Sequence, residues 1–144
     1  MMENIRHIGV YVDDLEGMKQ FYCNNFAFAV KVHDIEKSLY IDRVLGLQNS
    51  SVELYKLELS GGGMLELLKY TQDKNVLKDC RETVWKKGNA HIAITVDDVV
   101  RLYEKLCRQS IRFISEPVMS SDGKAKVCFC QDPEGNYLEL VEEL

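Results

Sequence analysis

Apolar residues along this chain alternate with polar ones in short runs, then switch to a spacing of three to four, and that succession of periods occurs twice. In the run Ile5 to Val12, Ile8, Val10 and Val12 fall on one face and His7, Gly9 and Tyr11 on the other. This predicts a strand whose aliphatic face needs a helix against it and whose other face, small and polar, suits a cleft wall. Asp13 then offers an N-cap with Glu16 as its capping-box partner. Leu15, Met18, Phe21, Tyr22 and Phe26 form the apolar stripe of a helix expected to end near Asn24-Asn25. Strands are predicted over Ala27 to Ile35, with Val30 and Val32 on one face and His33 among the polar positions, and over Val52 to Ser60 and Met64 to Tyr70. Gly61-Gly62-Gly63 joins the last two as a hairpin.

The pattern restarts at Ala90. Ala90 to Val96 alternates His91, Ala93 and Thr95 against Ile92, Ile94 and Val96, and Val99, Leu102, Tyr103, Leu106 and Cys107 mark a second helix. Strands are predicted over Arg112 to Ser115, Lys126 to Gln131 and Tyr137 to Val141. The restart is also a repeat of residues: Arg6-His7-Ile8-Gly9-Val10-Tyr11-Val12-Asp13-Asp14 aligns on the histidine with Ala90-His91-Ile92-Ala93-Ile94-Thr95-Val96-Asp97-Asp98. Downstream, Met64-Leu65-Glu66-Leu67-Leu68 is echoed by Tyr137-Leu138-Glu139-Leu140-Val141. The fold class is therefore α+β, two tandem βαβββ modules over residues 1–70 and 89–144. Residues 71–88 serve as the linker.

Residues 36–51 have no counterpart in the second half and are too apolar for a free loop; we read them as an inserted flap or short helix that packs over the cleft. At 144 residues and 46% hydrophobic content the chain fits one structural domain, since a lone half of about 70 residues would bury a marginal core. A net charge of −5 argues against a nucleic-acid partner or an anionic membrane surface. No apolar run approaches the roughly 20 residues that span a bilayer, and Glu3, Asn4 and Arg6 stand where a signal peptide would be apolar, so a cytoplasmic protein is expected. Five cysteines, Cys23, Cys80, Cys107, Cys128 and Cys130, without CxxC spacing predict buried free thiols.

The chemistry lies in what recurs. A glutamate between leucines on a strand covered on both faces is expensive to keep charged unless it is paired or coordinated. Each half supplies one such glutamate, Glu66 or Glu139, and one histidine, His7 or His91. Pseudo-symmetry would bring two imidazoles and two carboxylates together, a donor set suited to Zn, Ni, Co, Mn or Fe with positions left for water or substrate.

These motifs resemble the vicinal oxygen chelate superfamily, also called the glyoxalase, bleomycin-resistance and dioxygenase superfamily, over nearly the whole chain. The second half, with Asn89-Ala90-His91-Ile92-Ala93 and Asp132-Pro133-Glu134-Gly135-Asn136-Tyr137-Leu138-Glu139-Leu140, is most similar to the bacterial lactoylglutathione lyases. The resemblance implies curled mixed sheets around a cleft and one divalent metal ion per site, held by His7, Glu66, His91 and Glu139. It implies proton transfer on a chelated small substrate such as a hemithioacetal, with Glu139 or Glu66 as the catalytic base. It also implies a homodimer that takes a small-molecule substrate, and Tyr11, Arg43 and Phe129 are candidate substrate-binding residues. The alternatives within the superfamily are an epimerase, an Fe(II) dioxygenase, or a non-catalytic binding protein of the same fold.

Overall fold

A computed structural model describes residues 6–38, 49, 51–71, 90–120 and 123–144. The chain divides into two compact units, Met1–Leu77 and Lys78–Leu144. The first runs β1 (Ile8–Tyr11), α1 (Leu15–Phe26), β2 (Ala29–Glu36), β3 (Ser51–Glu58) and β4 (Met64–Thr71). The second runs β5 (His91–Thr95), α2 (Val99–Arg108), β6 (Val118–Met119), β7 (Ala125–Gln131) and β8 (Tyr137–Glu143). Each unit holds an open four-stranded mixed sheet, ordered β1-β4-β3-β2 in one and β5-β8-β7-β6 in the other. The first strand of each sheet lies parallel to the last strand of its unit, and every other pairing is antiparallel. That is βαβββ twice over, as the alternation of periods predicts.

In the first unit the predicted stripe of α1 is buried in full, from Leu15 to Phe26, and packs on β3 and β4. Leu57, Leu65 and Leu67 meet it from the sheet, each at most 2% exposed. At about 1.5–3 kcal/mol for each large apolar side chain taken from water, this contact dominates the unit's stability. Tyr22 stands edge-on to Phe21 and Phe28, and Phe26 edge-on to Phe21. Burial of Phe26 explains why the helix runs past Asn24-Asn25: Asn25 turns its Nδ2 back to donate to the Phe21 carbonyl, and the chain leaves the helix at Ala27 in the left-handed region, φ 55°. In the second unit Val99 and Leu106 of α2 and Leu138 and Leu140 of β8 are fully buried.

Five expectations are corrected. The cap of α1 is Asp14, not Asp13: its Oδ1 accepts from the Gly17 amide at 3.0 Å, and Gly17 leaves room for the carboxylate. Asp98 caps α2 in the same way, accepting from the Arg101 amide at 2.8 Å, so the second aspartate of each repeat is the cap. Glu16, expected as the box partner, instead pairs with Lys19 and accepts from Gln20 and Tyr55, which hold its carboxyl below the usual range. Val30 and Val32 do not share a face, because the register shifts between them: Val30 lies opposite Leu57 and Val32 opposite Lys56, neighbours on β3. The strand expected at Arg112 to Ser115 is reduced to one bridge, Phe113 to Cys130, and the edge strand forms at Val118–Met119, beyond Pro117, which has no amide to donate. Of the cysteines expected to be buried, Cys128 and Cys130 are, Cys23 is partly covered and Cys107 is exposed; Cys80 lies outside the described residues, as do positions 39–48 and 50 of the insertion and nearly all of the linker.

Candidate metal centre

Each unit brings one histidine against one glutamate, by the same construction. In the first, the parallel β1–β4 pairing sets Gly9 beside Glu66; in the second, β5–β8 sets Ala93 beside Glu139. The histidine stands two residues before that small residue, on the same face, and the period of two brings its ring to the carboxylate. His7 Nε2 lies 2.9 Å from Glu66 Oε2, and His91 Nε2 lies 3.1 Å from Glu139 Oε2. Small residues at positions 9 and 93 keep the sheet open between ring and carboxylate; a Cβ at Gly9 would already press on Leu68 Cδ1 at 3.2 Å.

The surroundings of the two pairs differ. Glu66 is buried at 7% exposure, and Lys56, directly across the β3–β4 ladder, brings Nζ to 3.6 Å from its Oε1. Glu139 is more open, and its position across the β7–β8 ladder is Phe129, whose ring meets His91 edge-on at 5.2 Å. Among the described residues Glu139 has no lysine or arginine partner. His7 Nδ1 is buried without a hydrogen-bond partner among the described residues, so that ring is anchored through Nε2.

Tyr11, expected at the substrate, is 65% exposed and leans on Tyr70, ring centroids 5.3 Å apart. Burial, and then the neighbouring Tyr11, push the Tyr70 hydroxyl above its ordinary pKa. Phe129 stands against His91, within the second pair's surroundings. Arg43 lies outside the described residues. Lys56 and Tyr70 were not singled out from the sequence. A signal for Lys56 was present: a hairpin closing on Gly61-Gly62-Gly63 puts it opposite Glu66, but only if the register is known.

The donor set fits a divalent ion. Two ligands about 2.0–2.2 Å from a metal, at angles between right and tetrahedral, stand about 2.8–3.6 Å apart, a range that holds both separations, 2.9 and 3.1 Å. Among the described residues no three of His, Cys, Asp and Glu gather.

Solved structures share the architecture of this chain. A glyoxalase family protein from Bacillus cereus superposes with a TM-score of 0.92 at 19% identity, over 100% of this chain and 96% of that one. The trypanothione-dependent glyoxalase I of Leishmania major gives 0.68 at 22% identity, covering 99% and 88%. Lactoylglutathione lyase from Agrobacterium tumefaciens gives 0.60 at 19%, covering 98% and 94%. At such identities the likeness is one of fold. The family model for the glyoxalase/bleomycin resistance protein/dioxygenase superfamily matches residues 4–140, a span that takes in both histidine–glutamate pairs, the first seven strands and the start of β8. With the module built twice and the same pair at the same register in each, the chain belongs to the glyoxalase/bleomycin resistance protein/dioxygenase superfamily.

Proposed function

We propose that this protein is a divalent-metal-dependent lyase or isomerase of the glyoxalase type, moving a proton on a small substrate with two neighbouring oxygens, such as a hemithioacetal. The observation that carries the reading is the recurrence of a histidine Nε2 beside a glutamate Oε2 at one register position in both units. Members of the superfamily commonly use a metal ion, and two neutral imidazoles with two carboxylates suit Zn, Ni, Co, Mn or Fe. His7, Glu66, His91 and Glu139 would hold it. A bound divalent ion would polarise the substrate oxygens and so acidify the C–H bond between them.

The remaining work falls to side chains. Glu66 is buried between His7 and Lys56 and is suited to stay where it is. Glu139 is more exposed and, among the described residues, is paired with His91 alone, so its carboxylate is free to turn toward substrate, accept the proton and return it to the adjacent carbon. The electron pair left by the proton shifts between the two carbons, so nothing else is consumed. His7 and His91 would only hold position, and the Phe129 edge covers one side of the His91 ring.

The test is metal analysis of the purified protein, a thermal melt before and after EDTA, and turnover of a methylglyoxal–thiol hemithioacetal with and without added nickel or zinc. An ion at a hundred times its Kd contributes about 2.7 kcal/mol, so EDTA should lower the melting temperature by several degrees and metal should restore it. Protein that carries no metal, melts unchanged in EDTA and turns nothing over would defeat the reading.

A further inference from the structure

The two histidine–glutamate pairs differ in what stands across the antiparallel ladder. Opposite Glu139 across its ladder stands Phe129, and opposite Glu66 stands Lys56, on the face that carries His7. Lys56 Nζ is 3.6 Å from Glu66 Oε1, beyond hydrogen-bond length, whereas Lys31 on the same sheet closes to 2.7 Å on Glu58. Among the described residues Glu66 is the one ion partner of Lys56, whose side chain is 30% exposed, and the other oxygen of Glu66 already faces His7. An ammonium has three donors and no acceptor, so most of its bonding capacity is open.

This inference rests on the metal reading above. On that reading two carboxylates balance a divalent ion, the histidines are neutral, and Lys56 is left as one uncompensated positive charge beside the ion. We propose that Lys56 is a specificity-determining residue that binds an oxyanion group of the substrate, a carboxylate or a phosphonate, next to the metal. An ion drawing on Glu66 weakens the glutamate's hold on the ammonium, and the oxyanion takes its place, so metal and anionic substrate cooperate. A neutral substrate would leave the charge without a partner.

Wild type, Lys56→Met, Lys56→Gln and Lys56→Arg are each titrated with zinc, and the zinc-loaded proteins are then titrated separately with methylphosphonate and with acetate by calorimetry. Wild type should take zinc and at least one anion. Both neutral variants should bind that anion about tenfold more weakly, and Lys56→Arg should stay within about threefold of wild type. The neutral variants should bind zinc at least as tightly as wild type, because a like charge has been removed from beside the ion. The anion that responds identifies the group. Equal anion binding by wild type and the neutral variants, or no binding of either anion by zinc-loaded wild type, overturns the proposal and leaves the metal reading standing. Zinc affinity about tenfold lower in both neutral variants also overturns it, since Lys56 would then only be positioning Glu66. Failure of wild type to bind zinc removes both.

Discussion

Glu66 and Glu139 are chemically identical and occupy the same register position, yet their neighbours differ, and on the proposed function that difference would give them different work. Glu66 is enclosed by His7 and Lys56, and Glu139 is held from one side by His91. Glu139→Gln should therefore lose about 10²–10⁴ in turnover even at saturating metal, the usual worth of a positioned base. Glu66→Gln should act first on the zinc dissociation constant, with a smaller loss of turnover once zinc is saturating. Measuring the two quantities separately decides the assignment, and equal losses of turnover at saturation would reverse or dissolve it. The thiols make a second contrast. Burial pushes Cys128 up to about 11 and Cys130 to about 12, while Cys107 is exposed on α2. Below pH 9 these two thiols are protonated both folded and unfolded. Above it the unfolded chain releases their protons first, so stability is lost as pH rises from 9 toward 12. Peptide mapping after brief alkylation at pH 8 should find Cys107 modified well before Cys128 and Cys130; similar labelling of all three would contradict the burial.

At the scale of elements, the turn before β8 sets where Glu139 stands. The Asp132 carboxylate, 3% exposed, accepts from the amides of Glu134 at 3.0 Å and Asn136 at 2.9 Å and from Asn136 Nδ2 at 2.7 Å, while Gly135 takes a φ of 87°. The motif Asp132 to Asn136 is thus a self-bonded corner that delivers β8 in register, with Glu139 against Ala93 on one side and Phe129 on the other. Asp132→Ala strips the acceptor from two backbone donors in a covered turn, and at about 1–3 kcal/mol for each unsatisfied donor it should cost about 2–6 kcal/mol. Urea unfolding should show a lower midpoint, and Asp132→Asn should recover part of the loss. A midpoint unchanged in Asp132→Ala would mean that the corner is held by its backbone alone. The elements that sequence period misplaced share a cause: a bulge in β2, a proline after Phe113 and a buried ring at the end of α1 are local or tertiary events that an average period does not register.

For the whole molecule, the open edges of the sheets matter most. β2 and β6 are edge strands carrying exposed Val30 and Ile35, and Val118 and Met119. Unpaired edges with apolar side chains invite a partner, and superfamily members often dimerise. A homodimer is the expected outcome: light scattering at micromolar concentration should return twice 16.6 kDa, and a mass equal to one chain would refute it. Among the described residues no helix is long and apolar enough to cross a membrane.

The sequence by itself determined the two-fold repeat, the strand–helix–three-strand order of each half and the identity of the four candidate ligands. These are written in periods of 2 and 3.6 and in residues that recur at matching places, and such signals survive without knowledge of what packs on what. Which aspartate caps a helix, which face a valine takes beyond a bulge and where an edge strand forms were decided by tertiary structure, because each turns on a shift of one residue or on a distant neighbour. The inequality of the two glutamates was decided there as well. It depends on Lys56 and Phe129 lying ten residues before Glu66 and Glu139 respectively, across turns of different build, and only the closed ladder sets them opposite.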